Sequence, residues 1–242
     1  MAGRIGRAIT DRLSDSYEFT SLDVKPADGF TSHVANIADM EAIKPAFAGQ
    51  QTVVHLAADP RADAPWESIH KNDIVGTYNV MEASREAGVQ RVVFASSNHV
   101  VGYYPMKDEP YLSYFEGRDD DLPRDAPMIT GGMHRPDGYY AVAKAFGESL
   151  GSYYWDEFGM SCIALRIGGV HDDDSHVGMG PLGRSLYLSH RDAAHLVERS
   201  IEAPESVGFA VVYGISNNTL RFHDIETAAE LIGFNPQDDA GL

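Results

Sequence analysis

Two short motifs carry residue types suited to acid–base chemistry: Tyr140-Ala-Val-Ala-Lys144 and, upstream, Ser96-Ser97. A tyrosine and a lysine four residues apart on a helix share one face. The ammonium is therefore expected to favour the phenolate and to lower the phenol's pKa from about 10, which makes it a general base near neutral pH. Ser97 ends an apolar run, and its hydroxyl is suited to hold the reacting oxygen. The combination predicts removal of an alcohol proton while a hydride leaves the same carbon.

The elements that must position these groups alternate between strand and helix along the chain. Apolar β-rich runs predict strands at Tyr17–Asp23, His33–Ile37, Gln51–Leu56, Val89–Ser96, Ser161–Ile167 and Gly208–Tyr213. Helical patterns fall at Met40–Phe47, Trp66–Ala87, Asp137–Phe158, Arg191–Ile201 and Ile225–Leu231. Short apolar strands separated by helices predict an α/β, Rossmann-like, doubly wound parallel sheet. We expect one NAD(P)-binding domain over residues 1–242, with a small substrate-binding appendage.

Two segments interrupt this alternation, at about 103–135 and 168–190. Both are rich in glycine, proline or aspartate and follow predicted strands. Because parallel sheets of this kind bind ligands at their carboxyl edge, one interpretation is that these segments wall a substrate pocket. The other is surface elaboration, and the sequence favours neither.

The chain begins with a candidate nucleotide loop. Gly3-Arg-Ile-Gly6 looks like the second half of a Gly-rich dinucleotide loop that runs into a helix, whose N-terminus favours a pyrophosphate. Asp23 ends the next predicted strand, where a carboxylate binds the adenosine ribose hydroxyls and repels a 2′-phosphate. These residues predict NAD rather than NADP.

The strand and first glycine that should precede this loop are absent from the sequence. The first strand of a doubly wound sheet is central, so its absence predicts a gap with an unpaired strand on each side. Either the chain is truncated upstream or its start was assigned too late.

Composition excludes several classes of function. Acidic residues outnumber basic ones 36 to 19, for a net charge of −17, which argues against nucleic acid as a partner. No apolar stretch approaches the roughly 20 residues that span a bilayer. Cys162 is the only cysteine, expected to be a buried strand residue, and fits a reducing cytoplasm. The run His171–His176 lacks a metal-ligand spacing, so no metal site is predicted.

Several stretches together carry a family resemblance. They are His55-Leu-Ala-Ala-Asp-Pro-Arg61, Asn72-Asp-Ile-Val-Gly-Thr77, Phe94-Ala-Ser-Ser-Asn-His-Val-Val-Gly-Tyr-Tyr-Pro105, Arg135-Pro-Asp-Gly-Tyr-Tyr140, Leu165-Arg-Ile-Gly168 and Leu188-Ser-His-Arg-Asp192. With them the chain resembles the extended short-chain dehydrogenases/reductases, the NAD-dependent epimerase/dehydratase superfamily. Within it, the chain is most similar to uronate dehydrogenases and to the NAD-dependent glucose-6-phosphate dehydrogenases of halophilic archaea.

The resemblance implies a role for each matching residue. Ser97, Tyr140 and Lys144 would be catalytic. The cofactor NAD would contact Gly3, Ile5, Gly6, Asp23, Asn36, Ile37, Leu56, Ala57, Ala58, Asn72, Tyr140, Lys144 and Ile167. The sugar would contact Ser97, Asn98, His99, Arg61 and Arg184. Gly169 stands where the uronate enzymes carry a serine, and Leu182 where their carboxylate-binding arginine aligns, so the sugar is left open.

The resulting hypothesis is an NAD-dependent oxidoreductase that converts the anomeric carbon of a sugar, sugar acid or sugar phosphate to a lactone. One alternative is a nucleotide-sugar epimerase or dehydratase with tightly bound NAD, although only residues 167–242 would remain for its substrate domain. Another is an N-terminally truncated, inactive relative. A small-molecule sugar is the expected partner, and assembly into a homo-oligomer is compatible with either enzyme.

Overall fold

The strands of the fold are all parallel and lie in two separate sheets. The computed structural model describes residues 1–61, 63–118 and 126–241. The strands are β1 (Thr20–Asp23), β2 (Thr31–Val34), β3 (Thr52–His55), β4 (Arg91–Ser97), β5 (Ser161–Ile167) and β6 (Phe209–Gly214). β1 pairs with β2, and the larger sheet has the order β3-β4-β5-β6. The parallel, Rossmann-like architecture that the sequence predicts is confirmed.

The helices are α1 (Arg4–Leu13), α2 (Met40–Ile43), α3 (Trp66–Ser68), α4 (Gly76–Glu86), α5 (Tyr103–Lys107), α6 (Tyr111–Phe115), α7 (Tyr139–Phe158), α8 (Pro181–Ser185), α9 (His190–Ile201) and α10 (Glu226–Ile232). A π-helical turn over Ile69–Val75 joins α3 to α4, so the long helix predicted there exists with a widened turn inside it. α2 continues as a 3₁₀ turn over Lys44–Phe47.

The larger sheet is buried on both faces. On one face Val93 and Ile163 belong to the core that includes α1 and α9. On the other, Phe94 and Cys162 belong to the core that includes α4 and α7. This double burial is why the strands read as continuous apolar runs, and Cys162 is buried as predicted.

One glycine sets how closely the helix that carries Tyr140 approaches the sheet. A Cβ built on Gly147 of α7 would overlap the ring of Phe94 in β4. Because Gly147 has no side chain, α7 lies directly on β4 and β5. Tyr140 and Lys144, on the first turns of the same helix, are thereby held at the carboxyl edge of the sheet.

A gap separates the two sheets. β1 and β3 both line one large cavity, and neither has a partner strand on the side that faces it within the described residues. The hydroxyl of Ser21 in β1 is buried without a hydrogen-bond partner. Along the described ranges no strand lies between β1 and β3, as the sequence predicts.

The two interrupting segments are more regular than the sequence suggests. The first contains α5 and α6, which end at Phe115, and its portion 119–125 lies outside the described residues. The second contains α8. Within the described residues, no helix combines the length and the apolar character that a bilayer crossing requires.

Candidate active site

A cavity of 1770 Å³ runs along the gap between β1 and β3 and reaches the carboxyl ends of β4 and β5. It exceeds the range of about 300–1,000 Å³ typical of small-molecule sites. Its lining includes Ser97, Asn98, His99, Tyr140 and Lys144 at one end and Gly3, Ile5, Gly6 and Asp23 at the other. The sheet gap opens into the same space. The sequence-predicted site residues are thus brought together by the fold, with one exception described below.

Ser97, Tyr140 and Lys144 meet at the end of β4. Ser97 is the last residue of that strand, and its Oγ accepts a hydrogen bond from the His99 N–H at 3.3 Å. Lys144 is only 3% exposed. Its Nζ lies 5.4 Å from the centroid of the Tyr140 ring and 5.1 Å from that of Phe94. A phenol, an ammonium and a hydroxyl therefore share one wall of the cavity.

Burial dominates the protonation of this group. Burial lowers the pKa of Lys144 to about 8, with Asp73 acting in the opposite direction. Burial raises the pKa of Tyr140 to about 12, while a hydrogen bond with Ser97 lowers it and the charge of Asp73 raises it. The Tyr140 pKa is therefore raised and not lowered as the sequence predicts, because the buried phenolate loses its hydration.

The π-helical turn places two polar residues beneath the site. The Asn72 amide donates to Ser68 Oγ at 3.1 Å, and Asn72 lines the cavity. Asp73 is 2% exposed and accepts a hydrogen bond from the Asp59 N–H at 2.7 Å. π-Helical turns are frequent at functional sites. Asp73 was not predicted from the sequence, where its only signal is its place next to Asn72.

The nucleotide end of the cavity is built by α1 and β1. α1 begins after Gly3 with no side-chain cap, so its first N–H groups remain available to an anion. A Cβ on Gly6 would lie 2.7 Å from the Met1 Cα, so only glycine lets the loop approach the helix this closely. Asp23 ends β1 and accepts hydrogen bonds from the N–H groups of Ala2 at 3.3 Å and Lys25 at 3.4 Å.

The middle of the cavity is lined mainly by apolar side chains, some of them as small as alanine. Leu56, Ala57, Ala58 and Ile167 follow or end β3 and β5 and line its floor, and Asn36 and Ile37 line its side. The buried Asn79 amide of α4 donates to the Ile37 carbonyl at 2.8 Å, which fixes this edge. A helix end without a side-chain cap, a carboxylate at the end of β1 and apolar residues between them are groups that fit a dinucleotide.

The end of the cavity at Ser97 and Tyr140, the predicted substrate end, contains a histidine–aspartate pair. His99 Nδ1 lies 2.7 Å from Asp137 Oδ2, and the His99 ring stands edge-on to Tyr140 with centroids 6.0 Å apart. A Cβ on Gly102 would collide with the Asp137 carboxylate. Asp137 was not predicted from the sequence, since its partner is distant along the chain. Asn98 and His99 both line the cavity, and their contact with a sugar stays a prediction.

The two arginines predicted to bind substrate differ in position. Arg61 lines the cavity, where it forms a two-point ion pair with Asp59 at 2.6 and 2.8 Å. Arg184 lies on α8 and is not among the residues that line the cavity, whereas Leu182 and Gly183 are. The structure therefore does not bring Arg184 to the site.

The space at Gly102 gives a direct test of the His99–Asp137 pair. We expect Gly102→Ala to displace the Asp137 carboxylate and to raise the sugar KM by about tenfold, as for the loss of one charge-assisted hydrogen bond. Gly180→Ala is the matched control, since its φ of −70° suits any residue and a Cβ there would meet no atom within 4 Å. Steady-state kinetics of both variants check this. An unchanged KM in Gly102→Ala would show that the pair does not organise the substrate.

Fold and site together define a doubly wound α/β protein with a large cavity that contains a Ser-Tyr-Lys group. Residues 1–171 match the model of the NAD dependent epimerase/dehydratase family. This chain belongs to that family.

Three known sugar dehydrogenases are similar to this chain over nearly all of its length. The chain is 36% identical to the NAD-dependent glucose-6-phosphate dehydrogenase of Haloferax volcanii, over 98% of this chain and 91% of that protein. It is 34% identical to the L-arabinose 1-dehydrogenase (NAD(P)(+)) of the same organism, over 99% and 94%. The structure of a uronate dehydrogenase mutant from Agrobacterium tumefaciens complexed with NAD superimposes with a TM-score of 0.81 at 32% identity, covering 99% of this chain and 83% of that one.

Proposed function

We propose that this protein is an NAD-dependent dehydrogenase that oxidises the anomeric carbon of a sugar, sugar acid or sugar phosphate to a lactone. One observation carries the proposal: a single cavity holds Tyr140, Lys144 and Ser97 at one end and an uncapped helix N-terminus with Asp23 at the other. The three relatives described above are all named as sugar dehydrogenases, which supports the same class of reaction.

The protein's own residues account for the proton and the reacting oxygen. Tyr140 takes the proton from the anomeric hydroxyl as the hydride leaves that carbon. Lys144 stabilises the phenolate so formed, and Ser97 holds the reacting oxygen by a hydrogen bond. Burial raises the pKa of Tyr140 to about 12, so its role as a base requires that the positive charge of Lys144, and that of the oxidised nicotinamide when NAD is bound, stabilise the phenolate.

NAD, when bound, supplies the hydride acceptor. The N-terminal turn of α1 would hold its pyrophosphate, Asp23 its adenosine ribose, and Lys144 its nicotinamide ribose. Leu56, Ala57 and Ala58, which line the cavity after β3, would lie against it. Asn98 and His99 would contact the sugar.

The proposal is tested with a panel of glucuronate, galacturonate, glucose-6-phosphate and neutral aldoses. We expect NAD and one of these sugars to give free NADH, seen as absorbance, together with a lactone. Interconversion of a nucleotide sugar without net NADH would instead support the epimerase alternative. A protein that does not bind NAD would support the inactive alternative.

Asp23 is expected to set the choice of cofactor. Asp23→Ala should lower the preference for NAD over NADP, because it removes both the ribose hydrogen bonds and the repulsion of a 2′-phosphate. The ratio of kcat/KM with the two cofactors measures this. Asp28→Ala is the control, since Asp28 is an exposed carboxylate a few residues further on. A parent protein that prefers NADP would contradict the role given to Asp23.

A further inference from the structure

Glu148 is a buried carboxylate that the proposed reaction does not use. It is 2% exposed and lies on α7 two turns after Tyr140, so that Tyr140, Lys144 and Glu148 share one face of the helix. Its partner Arg166 of β5 is fully buried and donates two hydrogen bonds to it, each 2.9 Å long. The carboxylate is thus fixed within the helix that carries the candidate base.

Two further contacts connect this ion pair to the site. Ser96 donates from its hydroxyl to Glu148 Oε1 at 2.5 Å, and Ser96 immediately precedes Ser97. His134 Nε2 lies 2.9 Å from Glu148 Oε2. One carboxylate therefore contacts the strand that ends in the catalytic serine and the segment that precedes α7.

That segment, residues 126–138, borders the substrate end. The Arg135 N–H donates to the Val100 carbonyl at 2.8 Å, and Asp137 pairs with His99. The Arg166 guanidinium also donates to the Tyr213 hydroxyl at 3.1 Å, which in turn donates to the Thr130 carbonyl at 3.0 Å. Glu148 and Arg166 together hold the segment at two points.

We propose that Glu148 is a positioning residue for the dehydrogenase reaction, linking Ser97 to segment 126–138 so that both are held in fixed relation to Tyr140. This inference rests on the proposed function. A buried ion pair is commonly no more stabilising than apolar packing of the same volume, so its stability alone does not explain the arrangement. The contacts of Glu148 with Ser96 on one side of the substrate end and with His134 on the other do explain the arrangement.

The test treats the two contacts of Glu148 separately: the one to His134 in the segment and the one to Ser96 in the strand. His134→Ala removes the contact to the segment, and we expect the sugar KM to rise about tenfold while kcat and NAD affinity stay within about twofold. Ser96→Ala removes the contact to the strand, and we expect kcat to fall about tenfold or more at an unchanged KM, because a small misplacement of a reacting group is costly. Glu148→Gln should show both effects.

His195→Ala is the matched control, since His195 on α9 is 33% exposed, close to the 38% of His134, and faces Glu198 of the same helix away from the site. It should leave kcat and KM unchanged. If Glu148→Gln fails to fold, His134→Ala and Ser96→Ala decide the question. Variants that lower the melting temperature but leave kcat and KM unchanged would overturn the proposal, because the network would then only stabilise the fold.

A readout without turnover separates this inference from the proposed function. Backbone hydrogen exchange of residues 126–138 should be faster in His134→Ala than in the parent and the His195→Ala control. Unchanged exchange would overturn the link between Glu148 and the segment. A parent that binds NAD but oxidises no sugar would overturn the proposed function, while the exchange comparison would still measure the link.

Discussion

Tyr140→Phe is expected to lower kcat by roughly 10²–10⁴-fold, the usual range for loss of a general base. NAD affinity should stay nearly unchanged, because the phenol hydroxyl acts on the alcohol proton and contributes little to cofactor binding. Pre-steady-state and steady-state formation of NADH measure the first effect, and a binding titration with NAD measures the second.

Tyr139→Phe is the matched control for this variant. Tyr139 is the preceding residue on the same helix and is 61% exposed. The Tyr139→Phe variant should therefore retain the parent's kcat. Near-normal turnover in Tyr140→Phe would remove the base from the proposed mechanism.

A strand that fills the gap between β1 and β3 is expected to raise both the melting temperature and the affinity for NAD. The design is an N-terminal extension of about ten residues, in which an apolar strand ends in Thr-Gly. At about 3.3 Å per residue, five or six residues complete a central strand. A buried backbone group without a partner costs about 1–3 kcal/mol, so pairing the facing edges of β1 and β3 is expected to add measurably to a total stability of about 5–15 kcal/mol.

The control for the gap is an extension of equal length with proline at alternate strand positions, which cannot form the ladder. Melting temperatures with and without NAD compare the three proteins. We expect the 242-residue chain to be the least stable and weakly active beside the strand-extended form. Equal melting temperatures and equal shifts with NAD would show that the gap costs the protein nothing.

The elements buried on both faces were the easiest to predict from the sequence. β5 has the predicted bounds of Ser161–Ile167, and its residues are all buried. Such strands carry an unbroken apolar signal with sharp ends. The exposed elements carried less signal: α5, α6 and α8 are each five residues long and lie in segments rich in turn-forming residues.

The residues that a Gly-rich loop or a Tyr-x-x-x-Lys motif names could be placed in advance, and they line the cavity. The contacts between distant segments could not. Asp137 meets His99 across 38 positions, and Glu148 meets Ser96 across 52. The Tyr140 pKa was also mispredicted, since the sequence shows the neighbouring charge but not the depth of burial.

The most direct test of oxidation at the anomeric carbon is to follow the hydride. The sugar oxidised best in the panel is supplied with deuterium on its anomeric carbon, and the mass of the reduced NAD is measured together with the rate. We expect the deuterium to appear on the reduced cofactor, with a lactone formed in equal amount. Reduced cofactor without deuterium, or no reduced cofactor with any sugar, would contradict oxidation at the anomeric carbon.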